Sequence, residues 1–94
     1  MYLAVTNVQP ISNYQLILTF ANGERKQFDM KPYLQTGIYY ELNDIAMFNT
    51  VRVSFDSIEW DNEADLDPEI LYTESTLIES QIASEPTADY GLDK

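Results

Sequence analysis

Four acidic side chains in the last third of the sequence have types and a spacing that chemistry could use. Asp61, Glu63, Asp65 and Asp67 occupy every second position, so an extended segment would place their carboxylates along one side. Closely spaced carboxylates can bind a hard cation such as Ca²⁺. They can also act as the acid and the base of a glycoside hydrolase.

The residues around these acids do not fit either chemistry. An EF-hand loop beginning at Asp61 would need glycine at its sixth position and glutamate at its twelfth, and the sequence has Leu66 and Tyr72 there. Glycoside hydrolysis needs two carboxylates that flank a substrate cleft, whereas neighbouring acids on a small domain usually form a solvated face. We therefore predict no metal, no cofactor, no catalytic residue and no enzymatic activity.

The residue types that are missing restrict the chemistry further. The sequence contains no Cys and no His, so it offers no thiolate nucleophile and no imidazole for zinc binding or for proton transfer near neutral pH. Its first residues lack the basic and apolar regions of a signal peptide, and no run approaches the roughly 20 apolar residues of a membrane span. We expect a cytoplasmic protein with no membrane partner.

The charge of the chain is unevenly distributed. Residues 1–55 contain four acids and four bases, whereas residues 56–94 contain twelve acids and one base and account for the net charge of −11. Such a field attracts basic proteins and repels the phosphate backbone of nucleic acids. We predict a non-catalytic protein-interaction module that binds a basic protein and no nucleic acid directly. The predicted partner-binding residues are Glu59, Asp61, Glu63, Asp65, Asp67 and Glu69.

Two other functions stay open at this point. Carboxylates spaced like phosphates on a rigid surface would make the chain a nucleic-acid mimic that blocks a DNA- or RNA-binding protein. Alternatively, the chain is a structural domain or a homo-oligomer whose acidity serves only solubility. DNA would compete for the partner in the first case, and the chain would recover only its own copies in the second.

The elements that position the acids begin with a predicted β-hairpin. The alternating apolar run Tyr14–Phe20 and a second predicted strand at about Glu24–Met30 flank an Asn-Gly pair, which is typical of a hairpin turn. A three-residue loop with Gly23 in the left-handed conformation would place Leu16 opposite Phe28 and Tyr14 opposite Met30. A two-residue loop would instead place Leu16 opposite a charged residue, so we favour the longer loop.

The alternation stops between residues 31 and 48. Pro32 can open a helical turn, and the Asp44 side chain can accept hydrogen bonds from the first N–H groups of another short helix. We expect short helices that pack over the sheet, and the residues that anchor them are Tyr33, Leu34, Leu42 and Phe48.

A second hairpin is predicted to follow. A tight turn at Asp56-Ser57 would place Phe55 opposite Ile58 and Val53 opposite Trp60, with all four side chains on one face. Trp60 could be an anchor for a partner, since tryptophan is enriched at interaction hot spots. Its alternation with Ile58 favours a place in the core instead.

Asp67-Pro68-Glu69 predicts the start of a helix near Pro68, because Asp67 can accept from free N–H groups and Pro68 needs no partner for its nitrogen. If the helix continued past Tyr72, five residues could form one apolar stripe: Ile70, Leu71, Leu77, Ile78 and Ile82. We predict one α+β domain over residues 1–82 and a flexible acidic tail over residues 83–94. The domain would have a small, mostly antiparallel sheet of about five strands in two hairpins, with short helices packed on it.

These motifs together resemble the prokaryotic domain of unknown function family 2442. The resemblance covers about residues 3–75 and is most specific in the last third of that range. The residues that carry it are Phe20, Asn22-Gly23-Glu24, Phe28-Asp29, Pro32-Tyr33-Leu34, Leu42, Phe48, Trp60 and the run Ala64–Tyr72. Where the family usually has Pro and Gly after the tryptophan, this chain has Asp61 and Glu63, which add negative charge.

The resemblance implies a small α+β domain without catalytic residues. Members of such a family stand alone, precede a helix-turn-helix domain, or are encoded beside a small toxin-like protein. An antitoxin-like or regulatory role is therefore the form in which we expect the predicted binding function.

Overall fold

A computed structural model describes residues 3–78 as two antiparallel sheets with short helices. The first sheet has the order β1-β2-β3-β7 and the second the order β4-β5-β6. The strands are β1 (Val5–Ile11), β2 (Gln15–Phe20), β3 (Arg25–Asp29), β4 (Arg52–Ser54), β5 (Ser57–Glu59), β6 (Asp65–Leu66) and β7 (Thr76–Leu77). The α-helices are α1 (Ile45–Phe48) and α2 (Pro68–Glu74), and 3₁₀ helices span Lys31–Tyr33 and Gly37–Asn43.

The β2–β3 hairpin has the predicted register. Leu16 pairs with Phe28, and the N–H of Met30 donates to the carbonyl oxygen of Tyr14 at 2.9 Å. Gly23 has a φ of +90°, which a residue without a Cβ adopts at little cost. The three-residue loop is therefore confirmed, and Leu16, Leu18, Phe20 and Phe28 of the two strands are buried in the core.

The segment before the second sheet consists of short helices, as expected. Asp44 caps α1, because its side chain accepts a hydrogen bond from the N–H of Ala46 at 3.1 Å. Of the four predicted anchors, Leu34, Leu42 and Phe48 are buried, and Tyr33 packs against the core while half-buried.

The second hairpin has a different register from the predicted one. Val53 pairs with Ile58, so the prediction that Val53 lies opposite Trp60 and Phe55 opposite Ile58 was wrong. The turn consists of Phe55 and Asp56, which have φ angles of +50° and +69° as a type I′ turn requires. The turn therefore lies one residue earlier than expected and removes Phe55 from the strand.

Helix α2 begins at Pro68 and ends at Glu74. Leu77 lies in β7, which pairs with β3, and the N–H of Ile78 donates to the carbonyl oxygen of Arg25 at 3.0 Å. The apolar stripe predicted for a longer helix is therefore wrong for these two residues. Ile82 and the predicted tail over residues 83–94 lie outside the described residues.

The two sheets and the helices share one core. Trp60, for which we predicted a place in the core, is fully buried there. The ring of Phe48 lies 6.4 Å from that of Trp60, between centroids, and 5.3 Å from that of Tyr14. The other fully buried large side chains are Phe20, Phe28, Leu16, Leu18, Met30, Leu42, Ile58 and Leu71.

The α+β class is therefore correct, whereas the strand arrangement differs from the predicted one. Residues 3–78 contain seven strands in two sheets in place of about five strands in one. The difference arises because β6 and β7 have two residues each, which is too short for an alternating pattern. The two sheets meet where the N–H of Val5 donates to the carbonyl oxygen of Asp56 at 2.9 Å.

Candidate partner-binding surface

The acidic surface consists of the six predicted partner-binding residues: Glu59, Asp61, Glu63, Asp65, Asp67 and Glu69. Glu59 lies in β5 and Asp65 in β6, and their α-carbons are partners across the two strands. Asp61 and Glu63 lie in the connection between these strands. Glu59 is half-buried, and the other five residues are exposed. The fold therefore leaves the whole set on or near the surface of the second sheet and of α2.

The connection between β5 and β6 has a defined backbone conformation. The N–H of Trp60 donates to the carbonyl oxygen of Ala64, and the N–H of Glu63 donates to the carbonyl oxygen of Trp60, both at 2.9 Å. The side-chain oxygen of Asn62 accepts from the N–H of Ala64 at 3.0 Å. Because Trp60 is fully buried, these bonds attach the exposed carboxylates of the connection to the core.

Asp67 and Glu69 are positioned by the start of α2. Oδ1 of Asp67 accepts a hydrogen bond from the N–H of Glu69 at 2.7 Å, which satisfies one of the free donors at the helix N-terminus. Pro68 occupies the first turn, where its missing N–H has no consequence. Both carboxylates also lie where the helix dipole favours negative charge. Asp67 therefore contributes to folding as well as to the field of the surface.

Very little of this negative charge is neutralised. Nη1 of Arg52 lies 2.6 Å from Oδ1 of Asp61. A second ion pair joins Lys31 to Asp29 at 3.2 Å and involves no residue of the acidic surface. The other five carboxylates of the acidic surface form no ion pair within residues 3–78, and four of these five accept no hydrogen bond there: Glu59, Glu63, Asp65 and Glu69. Their lone pairs are free for donors from another molecule.

The structure brings half of the predicted set together around one depression in the surface. Glu59, Asp65 and Asp67 line this depression, which has a volume of about 540 Å³ and also has Phe55 in its lining. The other three acidic residues do not line it. The six residues therefore form two groups, those that line the depression and those that do not. The sequence order does not show this, because only the pairing of β5 with β6 brings Glu59 next to Asp65, six positions later.

Phe55 is the residue of this region that the sequence analysis missed. The pattern indicated a strand residue facing the core, but the ring is 98% exposed at the tip of the β4–β5 hairpin. Val53, its predicted neighbour in the core, is also exposed, at 39%. The hydrophobic pattern alone contained no signal for the one-residue shift, because Asp56-Ser57 has the composition of a turn as well.

Tyr39 fixes β6 from the side of the 3₁₀ helix. Its hydroxyl donates to the carbonyl oxygen of Asp65 at 2.7 Å. Burial raises the pKa of Tyr39, and the nearby charge of Asp65 raises it further. The hydroxyl therefore stays protonated near neutral pH, and it continues to hold the strand that carries Asp65.

Two other kinds of site are absent from the described part of the chain. Within residues 3–78, no three or more His, Cys, Asp or Glu side chains are grouped so that they could hold a metal ion. In the same part of the chain, no helix combines the length and the apolar character that a membrane crossing would need.

Most of the chain is similar to one family of known proteins. The model of one family, described as "Protein of unknown function (DUF2442)", matches residues 5–76. The match includes α2 and all strands except Leu77, the last residue of β7, and it covers most of the chain. No curated protein matches the chain, and no solved structure does.

Proposed function

The chain belongs to the DUF2442 family, and we propose that it is a non-catalytic module that binds a basic protein through the acidic surface. The observation that carries this proposal is that most of the negative charge on that surface has no positive charge beside it. Of its six carboxylates, one is paired with a base and one caps a helix, and four have no partner within residues 3–78. We propose an antitoxin-like or regulatory role as the biological form, since the resemblance implies members encoded beside toxin-like proteins.

The unpaired carboxylates of the acidic surface are better suited to binding than to folding. Like charges on neighbouring strands, such as Glu59 and Asp65, disfavour the folded state, so their contribution to folding does not explain their position. A basic partner would relieve this repulsion. It would also associate faster, because the summed field steers oppositely charged molecules towards each other. The same field is screened over about 8 Å at physiological ionic strength, so the binding should weaken as salt is added.

Affinity capture from the native cell extract, carried out at low and at high salt, would test the proposal. We expect a basic protein that is retained at low salt and released at high salt. The captured protein would then be purified, and its dissociation constant would be measured over a series of salt concentrations. A dissociation constant that does not change with ionic strength would contradict the proposal.

A charge-matched pair of variants would separate the acidic surface from net charge. The double variant Glu59→Gln, Asp65→Asn removes two charges from the surface. The control Glu24→Gln, Glu41→Gln removes two charges elsewhere, and it keeps an oxygen where Glu24 accepts from Tyr72 and Glu41 accepts from Asn62. We expect the first variant to bind the captured protein more weakly than the control does. Equal binding by the two variants would contradict a role for this surface.

The same captured protein would distinguish the proposal from its alternatives. If the chain were a nucleic-acid mimic, duplex DNA or RNA would compete with it for the partner. If it were only a structural domain, the extract would return further copies of the chain and no basic protein. We expect neither result.

A further inference from the structure

Phe55 has a position that folding does not explain. Its ring is 98% exposed, so it gains almost nothing of the roughly 1.5–3 kcal/mol that burial of a large apolar side chain provides. Its φ of +50° lies in the left-handed region, which bulky residues other than glycine, asparagine and aspartate rarely adopt. The first position of a type I′ turn usually holds Asn, Asp or Gly. The side chain of Phe55 therefore contributes almost nothing to folding, and its backbone conformation opposes folding.

The surroundings of Phe55 indicate what the ring could bind. It lines the same depression as Glu59 and Asp65, whose carboxylates have no partner within residues 3–78. The volume of about 540 Å³ lies within the roughly 300–1,000 Å³ that is typical of sites for small ligands. An aromatic face beside bare carboxylates is complementary to a group that is both planar and positively charged.

We propose that Phe55, Glu59 and Asp65 form a docking site for an arginine side chain of the basic partner. The guanidinium group would stack on the ring of Phe55, and its N–H groups would donate to the two carboxylates. This inference rests on the proposed function and specifies the group that the acidic surface recognises. Arginine is favoured over lysine because its planar guanidinium stacks on aromatic faces and donates in a fixed fork to carboxylates, whereas an ammonium group is a compact, strongly hydrated charge.

A second copy of the chain is a less suitable occupant of this site. Arg25 and Arg52 could in principle supply the guanidinium, but two chains that each carry a net charge of −11 repel each other. In addition, Arg52 is already paired with Asp61. The partner is therefore expected to be a different protein, with an arginine in an exposed segment.

The test uses the full chain and three synthetic peptides with blocked ends. One peptide alternates arginine with glycine, the second has lysine in place of arginine, and the third has serine. Backbone amide chemical shifts, followed by NMR during titration at low salt, locate the contact and give the dissociation constants. We expect the arginine peptide to bind most tightly and to shift the amides of Phe55, Glu59 and Asp65. Equal binding of the lysine peptide would overturn the assignment to arginine.

Variants of Phe55 test the aromatic contact. Phe55→Ala and Phe55→Leu should each weaken the arginine peptide about three- to tenfold, whereas Phe55→Tyr should bind it like the unchanged protein. Because the ring is exposed, we expect all three variants to keep the dispersed amide spectrum of the folded protein. Unchanged binding by Phe55→Ala would overturn the proposal.

A charge-matched pair tests the two carboxylates. The variant Glu59→Gln, Asp65→Asn should lose more affinity for the arginine peptide than Glu63→Gln, Glu69→Gln, which removes two charges that do not line the depression. Equal losses would overturn the docking site but leave the proposed function in place, because the attraction would then be diffuse. The proposed function is judged separately, by the salt dependence with which the chain binds the captured protein.

Discussion

The indole N–H of Trp60 donates a hydrogen bond to the carbonyl oxygen of Phe48 at 3.0 Å, inside the core. The bond joins the residue that follows β5, the central strand of the second sheet, to the last residue of α1, twelve positions earlier in the chain. A buried tryptophan needs such a partner, because an unsatisfied polar group in the core costs about 1–3 kcal/mol. Trp60 thus fixes to the core the start of the connection that carries Asp61 and Glu63. Because its side chain is buried, it is not available to a binding partner.

Replacing Trp60 with Phe should lower the free energy of unfolding by about 2–4 kcal/mol. The change leaves a cavity and removes the donor for the carbonyl oxygen of Phe48. Urea unfolding followed by fluorescence or circular dichroism would measure the loss. The control is Tyr40→Phe, at a residue that is 61% exposed, where we expect a change of less than about 0.5 kcal/mol. Similar losses for the two variants would contradict the account of the core.

Removing the cap of α2 should destabilise the chain in a way that depends on the replacement. Asp67→Ala should cost about 1 kcal/mol, because it leaves the N–H of Glu69 without its acceptor, whereas Asp67→Asn should be nearly neutral, since asparagine caps almost as well. Urea midpoints of the two variants would measure the difference. If both variants lost the same stability, the charge of Asp67 rather than its hydrogen bond would be responsible.

The sequence predicted those parts of the fold in which no second physical rule favoured a different arrangement. Of the two registers considered for the β2–β3 hairpin, only one placed Leu16 opposite an apolar residue. The loop of that register needs a residue in the left-handed conformation, which Gly23 adopts at little cost. The start of α2 was predictable for a similar reason, because Asp67 and Pro68 both favour a helix start at the same position.

The missed parts depended on contacts between distant residues. Phe55 was assigned to a strand by its hydrophobicity, but the pairing of Val53 with Ile58 places it in the turn. Leu77 has the spacing of a helical stripe, yet it pairs with Lys26 of β3. The depression escaped prediction for the same reason, since Glu59 and Asp65 become neighbours only through the pairing of β5 with β6.

Alkaline pH should weaken the contact between Tyr33 and α2. The hydroxyl of Tyr33 donates to the carboxylate of Glu74, and this bond, together with burial and the charge of Glu74, raises the pKa of Tyr33 from 10.0 to about 12. Between these values the unfolded chain has lost the proton that the folded chain retains. Stability should therefore be fully present below pH 10 and should fall as the pH rises towards 12.

The tyrosinate absorbance of the folded protein, recorded during a pH titration, would check this. The variant Glu74→Gln should move the ionisation of Tyr33 towards its ordinary pKa. The control Glu69→Gln removes a charge from the same helix without touching Tyr33, and it should leave that ionisation in place. An identical titration curve for Glu74→Gln and the unchanged protein would show that the contact is not made in solution.

Replacing Phe55 with Asn should stabilise the fold although it removes an aromatic ring. Asparagine tolerates the left-handed conformation that this turn position requires, and the exposed ring contributes almost no burial, so we expect a gain of about 0.5–1 kcal/mol. The urea midpoint would measure it, with Phe55→Leu as a control that should show no gain. A loss of stability would mean that the ring packs against the fold. If the gain is found together with weaker binding of the arginine peptide, then Phe55 is kept at the hairpin tip for recognition and at the expense of stability.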